Sequence, residues 1–527
     1  MPRRRIEQAL VYVPAVAAFG LLVFRLARDV HGKPLVEDEA VAGLIGARPV
    51  GELLGTVLWD RGGAPLHFLL VHAVLAVHSS ADALRWLSAA FALGAVLICF
   101  ELGRRLGGPI AGAIAAIAAS TSGLLTIYGG IARMYTLFAF AGGLAALLFM
   151  RALERRTGEA AFTAALAAWL LPAIHPYGGI AVAVEGAIAL VVWRGRPLKP
   201  ALPVLAVAAA TLPFAAFDHR LGGRIDVNAG GQAAASPGDA WNQLEYAVRG
   251  SAGGGGLALV LFLALALTGL VILARERPHV AALAVLWLVA PPMLILLVRS
   301  GTDPGLSPRH LIYALPLWVA AAGVGAARLL KRVPLPAQVA ALSLLALAAA
   351  LAPPGIRDPR SITYAAPLSH RSDLAPAARR LRATVGSGDV LFPFSAVYLA
   401  ALPETGRATT LPPGEPKLIV RALRRVQLPA GSLFVAVPVG ADGVRVALLG
   451  ARLGPQFAVE LHGSWLIVER RGPLDEHVAI LVAASRALRE ARAASSGPLP
   501  GQLAAYYDHE LGVLDAAVRR LDSSRGR

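Results

Sequence analysis

The sequence predicts an α-helical polytopic membrane protein with a C-terminal extracytoplasmic α/β domain, and three observations carry that expectation. Of its 527 residues 56% are hydrophobic and only 16% charged, with a positive mean hydropathy, which sets it apart from ordinary soluble enzymes. Apolar runs long enough to cross a bilayer recur from Leu10 to Ala352. Beyond Pro353-Pro354 the periodicity changes to that of an amphipathic helix and short β-type runs.

In order, the apolar runs fall at 10–28, 83–103, 109–128, 131–150, 160–174, 177–193, 201–217, 256–274, 279–298, 309–329 and 335–352, eleven expected spans. MPRRR ahead of LVYVPAVAAFGLLVF resembles a signal peptide, and Ala15-Val16-Ala17 imitates a cleavage site. That triplet lies inside the apolar run, so the first span is expected to be retained. The run Leu66 to Val77 is too short: twelve residues reach roughly 18 Å against a hydrocarbon core of roughly 30 Å. It reads as a juxtamembrane or re-entrant helix.

Basic residues set the orientation. With a cytoplasmic N-terminus, Arg3–Arg5, Arg104–Arg105, Arg151/Arg155/Arg156, Arg194/Arg196/Lys199, Arg275/Arg277 and Arg328/Lys331/Arg332 all fall inside; Arg25, Arg28 and Lys33 are the main exceptions. Counting 66–77 as a span would put the later clusters outside. The formal charge of +17 therefore reflects loops rather than a basic face with interleaved aromatics, and nucleic acid is not expected as a partner. The single cysteine, Cys99, lies in an apolar run, which excludes an intrachain disulfide and cysteine-ligated metal. Heavy use of Ala, Arg, Gly and Pro resembles a GC-rich bacterial coding bias, so the expected location is a bacterial inner membrane.

This orientation sends the loop 29–82, the His175-Pro176 turn, the loop 218–254, the segment 299–308 and all of 353–527 to the outer face. Loop 29–82 holds three consecutive acids, Glu37, Asp38 and Glu39, beside membrane-spanning runs. Charge there is costly unless it sits in a solvated or partner-lined cavity. Asp38 ahead of EAVAGLIGA is equally a good helix N-terminus, and the two readings are compatible. The glycine run at 250–256 fits a flexible hinge better than a phosphate nest. In the C-terminal domain DLAPAARRLRATVG is an expected helix, DVLFPF, SLFVAVPV and FAVELHGSWLIVER are expected β-type runs, and Asp475 to Leu521 is expected to be a helical hairpin broken at 497–501.

Asp38-Glu39, Pro65-Leu66-His67-Phe68, Arg85, Ala132-Arg133-Met134-Tyr135, His175-Pro176-Tyr177 and Pro308-Arg309-His310-Leu311 occur in an order that resembles GT-C glycosyltransferases. The resemblance is to the bacterial relatives of the dolichyl-phosphate-mannose protein mannosyltransferases and of the lipid A aminoarabinose transferases, and it covers roughly residues 5–330. It implies a transmembrane catalytic domain over 1–352, a soluble domain over 353–527, and inverting transfer of a monosaccharide from a polyprenyl-phosphate donor to a hydroxyl of a glycan, lipid or protein acceptor. It further implies Asp38 as general base with Glu39 in support. Arg133 and Arg309, each at the mouth of a span, are the cations best placed for the departing phosphate.

Each assignment has a plainer counterpart. Arg133 and Arg309 could snorkel to the interface. His175 could serve a local turn; Tyr135 could stack on sugar, and Tyr177 fits the interfacial aromatic belt. His67 and His310 are taken with His175 and Tyr135 as candidate substrate-binding residues. His67 and His78 share a helix face but lack convergent ligand spacing, so neither metal nor cofactor is expected. Glu185, in mid-span, needs a cavity or a partner. Gly62-Gly63-Ala64-Pro65-Leu66-His67 departs from the basic or doubled-proline approach common in such enzymes, so no lysine there can bind phosphate. A transporter or flippase of lipid-linked glycans is the rival reading, for which internal inverted repeats are lacking; a non-catalytic envelope scaffold leaves the acids at 37–39 unexplained.

If positive charge sets the topology, reporters fused after Phe217 and after Gly355 will both report an outer location and one after Arg196 an inner one. An inner location for the Gly355 fusion would refute the eleven-span arrangement.

Overall fold

The computed structural model describes residues 10–32, 35, 37–60, 64–192, 237–297, 307–351, 371–412, 416–439, 443–496 and 501–525. The expected span 201–217 lies outside the described residues. In chain order the helices of the N-terminal two thirds are α1 (Val13–Gly32), α2 (Glu37–Gly46), α3 (Val50–Asp60), α4 (Leu66–Val77), α5 (Ala81–Thr121), α6 (Gly123–Gly129), α7 (Tyr135–Arg155), α8 (Gly158–Ile174) and α9 (Gly178–Val192). They continue with α10 (Pro237–Ser251), α11 (Leu257–Glu276), α12 (Pro278–Leu297), a 3-10 turn at Pro308–Ala314, α13 (Leu315–Leu330) and α14 (Leu335–Leu351). By length and composition Ala81–Thr121, Tyr135–Arg155, Leu257–Glu276 and Pro308–Leu330 can each cross a membrane, and shorter apolar helices accompany them. The fold class is the expected one: an α-helical polytopic membrane protein with an α/β sheet towards its C-terminus.

Contacts divide the chain into two units, one of residues 1–30, 55–67 and 85–357 and the other of 31–54, 68–84 and 358–527. The division differs from a cut at residue 352, because two segments of the acidic loop group with the C-terminal sheet.

In the first unit, sequence detail decides where spans begin and end. α5 covers two expected spans and is interrupted at Gly108, whose φ of 84° only glycine adopts easily, with Pro109 opening the second half. The run expected over 109–128 breaks at Ser122, whose extended ψ of 127° stops the helix and whose hydroxyl donates to the Gly250 carbonyl at 3.0 Å. The run expected from 131 becomes helical only at Tyr135, after a turn begun by Gly129 and Gly130. Trp287 is fully buried, donating from Nε1 to the Ala181 carbonyl at 3.1 Å, while the Tyr313 hydroxyl donates to the Trp287 carbonyl at 2.8 Å. In a membrane such bonds satisfy groups that lipid cannot.

Helices α11 and α13 pack backbone to backbone. A Cβ added at Gly269 would collide with the Ala321 carbonyl, and one added at Gly325 with the Leu265 carbonyl. Lipid supplies no hydrophobic drive for helix pairing, so this close approach gains its stability from dispersion contacts over small residues.

In the second unit the chain continues through α15 (Arg371–Thr384), β1 (Val390–Phe392), α16 (Ala396–Ala400), β2 (Thr409–Thr410), α17 (Pro416–Leu423), β3 (Leu433–Pro438), α18 (Val446–Leu453), β4 (Phe457–His462), β5 (Trp465–Arg470), α19 (His477–Ala493) and α20 (Gly501–Arg525). The strand order is β2-β1-β3-β5-β4, parallel among β2, β1 and β3 and antiparallel from β3 through β5 to β4. The expected single run FAVELHGSWLIVER is the β4–β5 hairpin, folded back at Gly463 with φ 61°. Strand β3 is buried on both faces, and α19 and α20 pack together as the expected helical pair. The Tyr507 hydroxyl of α20 donates to the Pro438 carbonyl at 3.1 Å, tying that pair to the sheet. Arg380 of α15 donates to Glu460 at 2.8 Å and to Glu469 at 2.9 Å, fastening α15 to β4 and β5.

Replacing Gly269 by Val is expected to cost about 1–3 kcal/mol through overpacking, whereas Gly20→Val, where a Cβ meets nothing within 4 Å, serves as the control. Reversible unfolding in mixed detergent micelles measures both, and equal stabilities would show that α11 and α13 do not depend on the close approach.

Candidate functional site

Three short turns of the first unit carry the candidate side chains: 130–134 between α6 and α7, 175–177 between α8 and α9, and the 3-10 turn before α13. The first is pinned by the Ser88 hydroxyl donating to the Arg133 carbonyl at 3.2 Å and by the Thr136 hydroxyl donating to the Ser88 carbonyl at 2.8 Å. The third lies against α7 because Gly142 has no side chain to strike the Tyr313 carbonyl.

Tyr135, at the start of α7, is the hub. The Arg133 guanidinium carbon lies 5.8 Å and that of Arg309 5.4 Å from the centre of its ring, so two cations from different turns share one buried π-system. Tyr128 meets the same ring edge-on at 4.8 Å. His175 and His310 are 4.8 Å apart, and Tyr177 stacks on both, at 5.4 and 5.1 Å. Phe138, one turn along α7 from Tyr135, stacks on His175 at 5.4 Å.

The backbone dictates where both imidazoles carry their proton. The Tyr177 amide donates to His175 Nδ1 at 3.3 Å, and the Ser307 amide donates to His310 Nδ1 at 3.1 Å. A ring nitrogen that accepts an amide hydrogen bond is unprotonated, so each neutral ring holds its hydrogen on Nε2 and is a donor there. Burial first, and then the Arg133 and Arg309 guanidinium groups, push the His175 imidazole down to about 3. Burial and then Arg133 push His67 down to about 3 as well, against an opposing hydrogen bond to the Ala132 backbone. The two rings are therefore neutral polar groups beside fixed cations.

Six of the expected site residues, His67, Arg133, Tyr135, His175, Arg309 and His310, thus belong to the first unit. Asp38 and Glu39 lie on α2, in the second. The helix starts at Glu37, so Asp38 is a first-turn residue rather than the residue preceding the helix. Its side chain is exposed, whereas Glu39 is fully buried. Tyr177, which suits an interfacial belt, is instead buried among the imidazoles, because Pro176 turns the chain sharply enough to lay its ring on His175. Arg85 is fully buried and donates to the Asp29 and Val30 carbonyls at 3.5 and 3.3 Å, capping the end of α1. Glu185 is buried on α9, with no hydrogen-bond partner for Oε1 among the described residues. Sequence reasoning passed over Tyr128 and Phe138. The three-residue spacing of Phe138 from Tyr135 was a usable signal, but the glycine turn hides any periodic link to Tyr128.

A histidine whose native pKa lies below its unfolded value of about 6.5 contributes stability that is complete above that pH and is lost as pH falls towards 3. His175→Gln removes this dependence, so the fall in melting temperature between pH 7 and pH 4.5 is expected to be shallower in the variant than in the unmodified protein. Identical pH profiles would mean that His175 is no harder to protonate in the native state than in the unfolded chain.

No family model matches the chain, and no curated protein matches it. Among solved structures it is similar to ArnT from Cupriavidus metallidurans bound to undecaprenyl phosphate, over 88% of this chain and 99% of that one, with 12% identity and a TM-score of 0.56. The apo state of the same enzyme aligns over 87% of this chain and 99% of its own length, with 12% identity and a TM-score of 0.52. The oligosaccharyltransferase of Archaeoglobus fulgidus aligns over 83% of this chain and 70% of its own at 11% identity and a TM-score of 0.49. At such identity the likeness is one of architecture, and the fold of this chain is that of the GT-C glycosyltransferases.

Proposed function

We propose that the protein is an inverting, metal-independent glycosyltransferase that moves a monosaccharide from a polyprenyl-phosphate donor to an acceptor hydroxyl at the outer face of a bacterial inner membrane. The observation that carries this reading is the pairing of Arg133 and Arg309 over Tyr135, flanked by two imidazoles that are neutral Nε2–H donors. Two fixed cations with neutral donors match a phosphate whose charge increases during reaction. The similar ArnT structure, which holds undecaprenyl phosphate, supports the same class of ligand.

The acceptor oxygen attacks C1 of the sugar, its proton passes to the Asp38 carboxylate, and the bond from C1 to the phosphate oxygen breaks with its electron pair on the phosphate. The donor diester carries one negative charge and the departing monoester approaches two. Arg133 and Arg309 are therefore worth more in the transition state than in the ground state, which is the requirement for catalysis. Being exposed, Asp38 is reachable by an acceptor, whereas the buried Glu39 suits a supporting role. Tyr135, His67, His175 and His310 are assigned to substrate binding. The catalytic domain on this reading covers 1–352, with the extracytoplasmic domain at 353–527. The acceptor is a hydroxyl of a cell-envelope glycan, lipid or protein, and the sugar a hexose or pentose.

Purified protein incubated with a panel of polyprenyl-phosphate sugars is expected to release polyprenyl phosphate from one of them; a flippase releases none. With that donor, Asp38→Asn keeps the side-chain shape and much of the helix-capping ability and loses the proton acceptor, so turnover falls by about two orders of magnitude or more while donor binding persists. Arg309→Ala is expected to weaken the donor and slow turnover, with Lys restoring only part because it lacks the bidentate fork. Near-normal turnover in Asp38→Asn would remove that residue from the role of base, and unchanged kinetics in Arg309→Ala would return the arginine to interfacial snorkelling.

A further inference from the structure

Arg48 belongs to none of the roles above, yet it is a buried arginine two residues past the end of the acid-bearing helix. Its Nη2 donates to the Thr410 carbonyl at 2.9 Å, a contact spanning 362 residues of sequence within the second unit. Thr410 is the last residue of β2, so the guanidinium meets the sheet at the carboxyl end of a parallel strand. That is the edge at which open α/β sheets receive their ligands. Here the chain's own acidic loop supplies the occupant.

Two further contacts hold the same segment. Helix α2 packs on α16, the helix that follows β1, with Gly43 so close to Leu399 that an added Cβ would strike the leucine side chain. α16 is itself bonded to the sheet, because the Tyr398 hydroxyl lies 3.1 Å from the Phe392 carbonyl and 3.0 Å from the Phe434 carbonyl and shares its single hydrogen between them. At the far end of α2, His72 Nδ1 lies 2.9 Å from the Gly46 carbonyl and donates to it. The sheet, α16, α2 and Arg48 thus form a closed mechanical loop that carries Asp38 on a helix of ten residues.

We infer that Arg48 is a positioning residue for the acid-bearing helix, and that the C-terminal sheet is a part of the catalytic apparatus that aims Asp38. The inference rests on the reading of Asp38 as the base. Without Arg48 the helix keeps its sequence and its charge but loses its tether to β2. Misplacement of a reacting group by about an ångström costs on the order of 10²-fold in rate. Donor binding, assigned to residues of the other unit, stays as it was.

The test uses the full chain in nanodiscs. Hydrogen exchange of the segment 37–47, binding of undecaprenyl phosphate, and turnover with the donor found active are compared for the unmodified protein, Arg48→Ala, Arg48→Lys, Asp38→Asn and the double variant Arg48→Ala/Asp38→Asn. In Arg48→Ala, exchange of 37–47 is expected to quicken and turnover to fall about 10–100-fold, with affinity for undecaprenyl phosphate within about twofold. Lysine, which keeps a cationic donor for the Thr410 carbonyl, is expected to recover part of the turnover. In the Asp38→Asn background the loss of Arg48 is expected to add almost nothing, since there is no base left to aim.

Faster exchange with full turnover would overturn the positioning role, as would a parallel loss of affinity or an equal further loss in the double variant. Near-normal turnover in Asp38→Asn alone would overturn the base reading and with it the aiming of that base, while the exchange data would still report the tether. Should Arg48→Ala fail to fold, Arg48→Met, which keeps much of the side-chain bulk and removes the donor to the Thr410 carbonyl, carries the same comparison: unchanged exchange together with unchanged turnover refutes the tether.

Discussion

Two guanidinium groups share the ring of Tyr135, and this concentration of positive charge in a membrane-spanning unit constrains everything around it. Like charges held against one ring repel each other, the more so where water is excluded. The face of the aromatic ring offsets part of this, and an anion between the cations offsets more. The neighbouring rings must then be neutral, since another positive charge would add to the repulsion. His67 and His175 meet that condition, held far below ordinary imidazole values by burial and by the arginines themselves.

The turns explain how so polar a group is assembled from an apolar chain. Helix ends expose backbone amides that have no partner within the helix, and two of these amides, of Tyr177 and Ser307, are used to fix the imidazoles. A proline lies at each place. Pro176 offers no amide and leaves Tyr177 as the donor, while Pro308 opens the 3-10 turn and sets the approach of Arg309 and His310. The proton positions are thus decided by covalent features a few residues away, and Nε2 is left as the donor on each ring.

The acids belong to different surroundings. α2 packs on α16, the helix that follows β1, and the buried Glu39 and exposed Asp38 are neighbours with opposite environments. Adjacent residues on a helix point about 100° apart, so one faces the packed side when the other does not. The exposed Asp38 and the buried Glu39 differ in this way although they are adjacent acids in the sequence. The sheet is also more than a soluble appendage in its contacts, because segments from the acidic loop are built into the same unit.

The candidate arginines and histidines were marked out by the order of short motifs that resembles the GT-C glycosyltransferases. Composition and hydropathy by themselves determined that the chain is a polytopic helical protein, where most apolar helices fall, and that a sheet follows Pro353-Pro354. These are properties of local transfer free energy and periodicity, and they are written residue by residue. The breaks at Ser122 and before Tyr135 were not legible, because hydropathy continues smoothly through them while backbone geometry does not. Only the tertiary structure brought Tyr177 and Phe138 to the imidazoles and Tyr128 to the Tyr135 ring, and only it joined Arg48 to Thr410. Contacts of that range depend on how close two backbones come and on which face a side chain leaves its helix. Those quantities are set by packing the whole unit and leave no periodic trace in the sequence.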